Sequence, residues 1–385
     1  MTLHIFNPDH DLALASGLEN FTAPHAGRQL RHDLAWLPAL WAEEGDTILV
    51  DDEEQVRRGV ARLKRLARLF PANGHRLLEN AHFLPREWAF STPRMGILYP
   101  ENGHSLTAPS AIAPWGWNAA LCAQLARRGI SEALLPTPPQ LEAIRELSHR
   151  RTSALLLKQL REALPDLLLT GEATECTTTE EVEAMLEQQP RLVLKAPWSS
   201  SGRGVRFIDG GMSDSASGWL RNTLRNQGSV MVEPYYPKTK DFGMEFTSDG
   251  NGHVSYLGLS LFHTQNGAYT GNLLATEAHK QQILGRYLPT SVLSTVEKTI
   301  CQLLSPTIGR LYTGPFGIDM MVVNQHPSPT TLHPAVEINL RRTMGHVALS
   351  LTRLVNPQED DDLVKVMRIV YEDNRYKLKC TNARY

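Results

Sequence analysis

The stretch Gly314-Pro315-Phe316-Gly317-Ile318-Asp319-Met320-Met321-Val322-Val323, followed after the polar segment Asn324 to Thr331 by Ala335-Val336-Glu337-Ile338-Asn339-Leu340-Arg341, decides how this chain is read. Two apolar runs around a polar turn predict a long β-hairpin. Period-two alternation puts Val336, Ile338 and Leu340 on one face and Glu337, Asn339 and Arg341 on the other, while Asp319 interrupts an otherwise apolar strand. A symmetric connection sets Asp319 opposite or diagonal to Glu337. Facing carboxylates destabilise a sheet unless something compensates them. Oxygen ligands on one sheet face suit a hard divalent cation, and magnesium takes a few carboxylate oxygens together with phosphates and water. Asp319, Glu337 and Asn339 are therefore the candidate metal ligands; the competing use is salt bridging to Arg341 or Arg342.

Working upstream, Arg191 to Ile208 reads as an apolar strand ending in Lys195, a loop Ser199-Ser200-Ser201-Gly202-Arg203-Gly204, and a second apolar strand. It is neither a Walker A loop nor a dinucleotide fingerprint, because no G-x-x-x-x-G-K-[ST] is present and the glycines open no helix. Gly202 and Gly204 let backbone N–H groups approach a polyphosphate, the serines add hydroxyl donors, and Lys195 supplies a fixed charge. A plain hairpin loop is the bland alternative. Between these segments, Ser229 to Tyr236 is a β-rich run stopped by Pro234 with Glu233 near its end. Lys240 to Phe246 begins another strand, with Asp241, Gly243 and Glu245 on one face and Phe242, Met244 and Phe246 on the other. Backbone groups after Glu233 suit adenine and Asp241 suits ribose hydroxyls, although either acid alone is more often a surface residue.

The order of these parts resembles the ATP-grasp superfamily of carboxylate-amine ligases, over about Ser148 to the C-terminus. The resemblance implies an α/β (α+β) chain: a smaller parallel-sheet domain at 1–147, then an ATP-grasp region at 148–385, itself divided at 235/236. It implies ATP and Mg2+ (or Mn2+). Lys195 with Ser199, Ser200, Ser201, Gly202 and Gly204 would hold the phosphates, Glu233, Tyr235 and Tyr236 the adenine, and Asp241 the ribose. Arg341 and Arg342 lie where the family stabilises the transferred phosphoryl group. The family's further phosphate-binding lysine near the start of the region is replaced here by Ser148-His149-Arg150-Arg151-Thr152, with Arg151 the candidate. The activity implied is ligation of a small-molecule or peptide carboxylate to an amine, or a thiol, through an acyl phosphate. An ATP-grasp kinase and a non-catalytic nucleotide-binding protein are the alternatives. Candidate substrate contacts are His263, Gln265 and Tyr269, in a polar, glycine-containing segment. Oligomeric state stays open, dimers being frequent in the family.

The 385 residues suggest two or three units, and the formal net charge of -2 gives no global reason to expect nucleic acid or an anionic membrane as partner. No signal-peptide pattern opens the chain and no span approaches the roughly 18 apolar residues of a membrane helix. Cys122, Cys176, Cys301 and Cys380 are scattered, without C-x-x-C pairs, so a reducing cytoplasm is the expected compartment. The first part alternates strand and helix: Leu3 to Phe6, Gln29 to Glu44, Thr47 to Val50, then Glu54 to Leu69, whose arginines and lysines read as a solvated helix face. Glu132 to Leu135 reads as a short strand. Asn7-Pro8-Asp9-His10-Asp11 reads as a helix N-cap cluster or a ligand loop, and Trp115 and Trp117 as packing residues.

Overall fold

The structure is a computed structural model and describes residues 1–69, 82–85, 109–199, 204–265, 268–324, 329–355 and 364–383. The chain divides into two compact units. One comprises Met1–Leu141, Asn272–Thr276 and His346–Tyr385; the other comprises Glu142–Gly271 and Glu277–Gly345. The C-terminal residues thus group with the N-terminal stretch, an arrangement that the sequence division at 147/148 did not foresee.

In the first unit, β1 (Thr2–Ile5), β2 (Thr47–Val50), β3 (His82–Pro85) and β4 (Ala111–Pro114) form a parallel sheet in the order β3-β2-β1-β4. All four residues of β2 are buried, as a strand covered on both faces requires. The Trp115 and Trp117 rings are buried, and Trp115 meets Phe6 edge-on at 5.1 Å, so both tryptophans pack as expected. Helix His10–Ser16 begins after Asp9, which makes no side-chain cap bond. Asn7 instead ties β1 to β4 by donating to the Gly116 carbonyl at 2.8 Å. The expected strand at Glu132 to Leu135 is a 3-10 turn, Glu132–Leu134. The pattern is apolar enough for a strand, but among the described residues no sheet edge pairs with it.

The second unit carries two antiparallel sheets. The first is built from β5 (Thr174–Cys176), β6 (Arg191–Lys195), β7 (Val205–Asp209) and β8 (Val230–Pro234) in the order β5-β8-β6-β7. Leu192, Leu194, Ile208, Val230 and Val232 bury one face against Val182, Ala216 and Leu220. Those last residues come from helices Thr179–Gln188 and Asp214–Gln227, the former opened by a capping box of Thr178 and Glu181. The second sheet comprises β9 (Lys238–Asp249), β10 (Val254–Ser260), β13 (Thr313–Val323) and β14 (Thr331–Asn339), ordered β10-β9-β13-β14. Phe242, Met244 and Phe246 pair with Met320, Ile318 and Phe316 and are wholly buried, with the Phe246 and Phe316 rings stacked at 5.4 Å. This apolar face fixes which side chains of the same strands point the other way.

Two further strands, β11 (Phe262–Gln265) and β12 (Ala268–Leu274), precede helix Glu277–Leu284. In the first unit, β15 (Val364–Glu372) and β16 (Arg375–Ala383) form a hairpin, and Asn272–Leu274 pair with β15. Among the described residues no helix is long and apolar enough to cross a membrane.

Candidate nucleotide and metal site

The face opposite Phe242, Met244 and Phe246 presents ordered cross-strand rows. Glu245 of β9 aligns with Gly317 of β13 and Asn339 of β14; the next row is Gly243, Asp319 and Glu337; the third is Asp241, Met321 and His333. Asp319 therefore lies directly opposite Glu337, one of the two placements left open by the sequence. A bulge in the pairing after Asp319 brings His333, rather than Ala335, opposite Met321.

Asp319 is half-buried, and its carboxyl is pushed up to about 8 by burial first, then by the charges of Glu337 and Glu245. Asn339 partly offsets this by donating from Nδ2 to Asp319 Oδ2 at 3.1 Å. Arg341 in turn donates from Nη2 to Asn339 Oδ1 at 2.9 Å and from Nη1 to the Arg342 carbonyl at 3.2 Å. Arg342 lies among Tyr312 and Glu245, and burial pulls its guanidinium down to about 10. Asp319 is linked to Arg341 through Asn339, and the Arg341 charge also acts to lower the Asp319 carboxyl.

Glu337 instead receives Arg150, whose Nη2 lies 2.8 Å from Oε1. Arg150 is the first residue of helix Arg150–Ala163 and is buried. Its Nε donates to the Ala196 carbonyl at 3.0 Å and its Nη2 to Ser199 Oγ at 3.3 Å. One guanidinium thus links the loop after β6 to the carboxylate row of β14. Arg151, the sequence candidate, is half exposed and pairs with Glu175 at 3.1 Å. The difference follows from the cap: the His149 ring accepts from the Arg151 N–H at 3.0 Å, and this helix phase turns Arg150 inward. His149 packs edge-on against Trp198 at 4.6 Å, and burial, then the Arg151 charge, pulls its ring down to about 4.

Lys195 ends β6 buried, with Nζ 2.6 Å from Glu233 Oε2. Both groups proposed for opposite ends of a nucleotide are thus one ion pair. Ser199 and Gly204 are held close: the Ala196 N–H donates to the Gly204 carbonyl at 2.8 Å, and a β-carbon at Gly204 would collide with Ser199. Ser200, Ser201 and Gly202 lie outside the described residues. The Tyr235 N–H donates to the Arg191 carbonyl at 3.0 Å, and the Arg191 guanidinium sits 4.1 Å from the Tyr235 ring centre, so this amide is already engaged. Tyr236 meets His333 edge-on at 5.7 Å, and burial pushes its hydroxyl up to about 12. Burial, then the Lys195 charge, draws His333 down to about 3. Neither ring nitrogen of His333 has a hydrogen-bond partner among the described residues. The pattern of β14 gave no reason to single out this histidine.

Asp241 accepts from Thr264 Oγ1 at 2.6 Å and pairs with Lys238. Thr264 of β11 reaches this face. The Thr270 hydroxyl donates to the His263 carbonyl at 3.1 Å, and burial pushes the Tyr269 hydroxyl up. The side chain of Gln265 lies outside those described. Glu245 is buried, accepts from Thr343 Oγ1 at 2.8 Å, and fills the space left by Gly317, where a β-carbon would come within 2.6 Å of Oε2. It was read from the sequence only as sharing a face with Asp241.

The donor set suits magnesium: two carboxylates in register, an amide beside them, and burial that penalises the charge of Asp319 until a cation offsets it. Among the described residues no group of three or more His, Cys, Asp and Glu side chains is placed to hold a metal, so any ion here would draw other ligands from phosphate and water.

No family model and no curated protein matches the chain. Solved structures do. N5-carboxyaminoimidazole synthetase from Staphylococcus aureus, solved with ADP, matches with a TM-score of 0.50 and 12% identity over 97% of this chain and 83% of that one. N5-carboxyaminoimidazole ribonucleotide synthetase from Thermus thermophilus matches at 0.45 and 14%, over 96% and 83%. A RimK domain ATP-grasp protein from Sphaerobacter thermophilus matches at 0.36 and 17%, over 77% and 95%. The first of these, together with the paired antiparallel sheets, bears on the architecture alone: this chain has the ATP-grasp fold.

Proposed function

We propose that this protein is an ATP- and Mg2+-dependent ligase that activates a carboxylate as its acyl phosphate for attack by an amine, or by a thiol. The observation that carries the reading is Arg150, whose single guanidinium joins the Ala196 and Ser199 backbone-loop segment to Glu337, opposite Asp319. That geometry supports the reading that the Ser199 to Gly204 loop and the carboxylate row serve one polyphosphate.

Lys195 and the Ser199 to Gly204 loop bind the phosphates, and Lys195 exchanges part of its bond with Glu233 for a phosphate oxygen. Asp241 accepts ribose hydroxyls in place of its bonds from Lys238 and Thr264. Met321 and His333 share the cross-strand row of Asp241, and adenine is assigned to the Glu233, Tyr235 and Tyr236 segment. Asp319 and Glu337, with Asn339, hold magnesium, which when bound supplies charge neutralisation at the transferring phosphoryl group. Arg341, anchored through Asn339, and Arg342 offset charge on the acyl phosphate. Positioning and electrostatics do most of this work, as in phosphoryl transfer generally. Four free thiols support a reducing compartment, and we place the protein in the cytoplasm.

The test is release of ADP and inorganic phosphate from ATP and Mg2+ with pools of carboxylates and amines. Stoichiometric release of both in one pool supports ligation; ADP without phosphate, the group having stayed on the acceptor, would replace ligase by kinase.

A further inference from the structure

The first unit contains a cavity of about 350 Å³ that lies in no part of the site described above. Helix Glu53–Leu69 lines it with Arg58, Arg62 and Arg65, and the β15–β16 hairpin adds Arg375 and Tyr376. The hairpin closes through Asp373 and Asn374, both in the left-handed region, which sets Arg375 at the start of β16. Of these arginines only Arg58 has a carboxylate partner among the described residues, Glu54 at 2.6 Å. Arg62, Arg65 and Arg375 form no ion pair with a described residue. Asp33 is the acid of the lining, and it is occupied: Oδ2 accepts the Tyr376 N–H at 2.9 Å and Gln29 Nε2 at 3.0 Å.

Arginines spaced at 58, 62 and 65 fall on one helix face, where like charges repel. A solvated face needs no concavity and no arginine from a second element. Guanidinium forks converging on a small cavity match the oxygens of a multiply charged anion, and a volume near the lower end of small-molecule sites fits a compact one. The formal net charge of -2 gives the whole chain no general affinity for long polyanions. We propose that this pocket binds a phosphorylated small molecule bearing at least two negative charges, held by Arg62, Arg65 and Arg375 against Tyr376. The inference does not depend on the ligase reading, since the pocket belongs to the other unit.

The test is hydrogen exchange of the full chain with inorganic pyrophosphate, read separately for 53–69 and 364–383 and for the 191–199 and 204–209 segments of the nucleotide site. Pyrophosphate is expected to protect the first pair of segments, and the triple variant R62Q/R65Q/R375Q to weaken that protection at least tenfold in half-saturating concentration while leaving 191–199 unchanged. The single variants R62K and R65K, which keep charge and fold, are expected to lose part of the effect. Absence of protection at millimolar pyrophosphate would overturn the proposal. So would protection that survives the triple variant, or protection by a long nucleic acid with none by pyrophosphate.

Discussion

At the scale of single residues, the arrangement turns on which of two adjacent arginines faces inward. Arg150 is bonded to Ala196, Ser199 and Glu337, whereas Arg151 reaches only Glu175 from a half-exposed position. Arg150→Ala is expected to cut ATP-dependent ADP release by about 100-fold, comparable to removing one preorganised donor from a catalytic site. Arg151→Ala is expected to stay within about threefold, as exposed ion pairs contribute little. Equal losses in the two variants would contradict the assignment. The sequence located the basic pair but not its orientation, because the His149 cap that sets the helix phase is a tertiary feature, packed on Trp198. By contrast, the sequence alone singles out Asp319, Glu337 and Lys195, each a charged residue in an apolar strand, and the structure sets Asp319 opposite Glu337 and buries Lys195.

His149 also makes a pH prediction. Its folded value of about 4 lies below the ordinary 6.5, through burial and the Arg151 charge. Above pH 6.5 the ring is neutral in both states and contributes no pH dependence. Between 6.5 and 4 the unfolded chain takes up a proton that the folded chain refuses, so stability falls as pH drops through that window. His149→Asn keeps a capping acceptor and removes the titration. Urea midpoints of the variant are expected to decline less steeply than wild type between pH 6.5 and 4, with His333 supplying part of the slope that remains. Parallel declines would show that His149 is not buried neutral.

At the scale of elements, the β9–β13–β14 rows explain why glycine stands at 317. The position lies opposite Glu245 and Asn339, and a methyl there would meet Glu245 Oε2 at 2.6 Å and Thr343 Cγ2 at 2.9 Å. Gly317→Ala is expected to destabilise the protein by about 1–3 kcal/mol, the usual range for overpacking a filled site. Chemical denaturation measures it, and a change below about 0.5 kcal/mol would mean that Glu245 relocates freely. The hairpin itself could be read from alternation, because a one-residue slip would bury Asp319 and Glu337 in the face held by Phe242 and Phe246. The bulge beyond Asp319 could not, since it skips residues without breaking the apolar pattern, and it is what brings His333 into the third row. The 3-10 turn at Glu132–Leu134 illustrates the converse: local propensity for a strand is not fulfilled where no edge receives it.

At the scale of the whole molecule, two compact units are interleaved in sequence, with Asn272–Thr276 and the C-terminal hairpin returning to the unit begun by β1. Composition and local pattern reveal alternating elements but not such returns, because nothing in the local pattern of residues 346 to 385 distinguishes one unit from the other. All the proposed nucleotide and metal contacts lie in the second unit. The most direct test is release of ADP and phosphate by wild type and by Glu337→Gln, with ATP, Mg2+ and the same carboxylate and amine pools, after circular dichroism has established that the variant is folded. One pool is expected to stimulate equal release of both products from wild type, and the variant to lose at least about 100-fold of that rate. Full stimulated release by a folded Glu337→Gln protein would contradict that expectation.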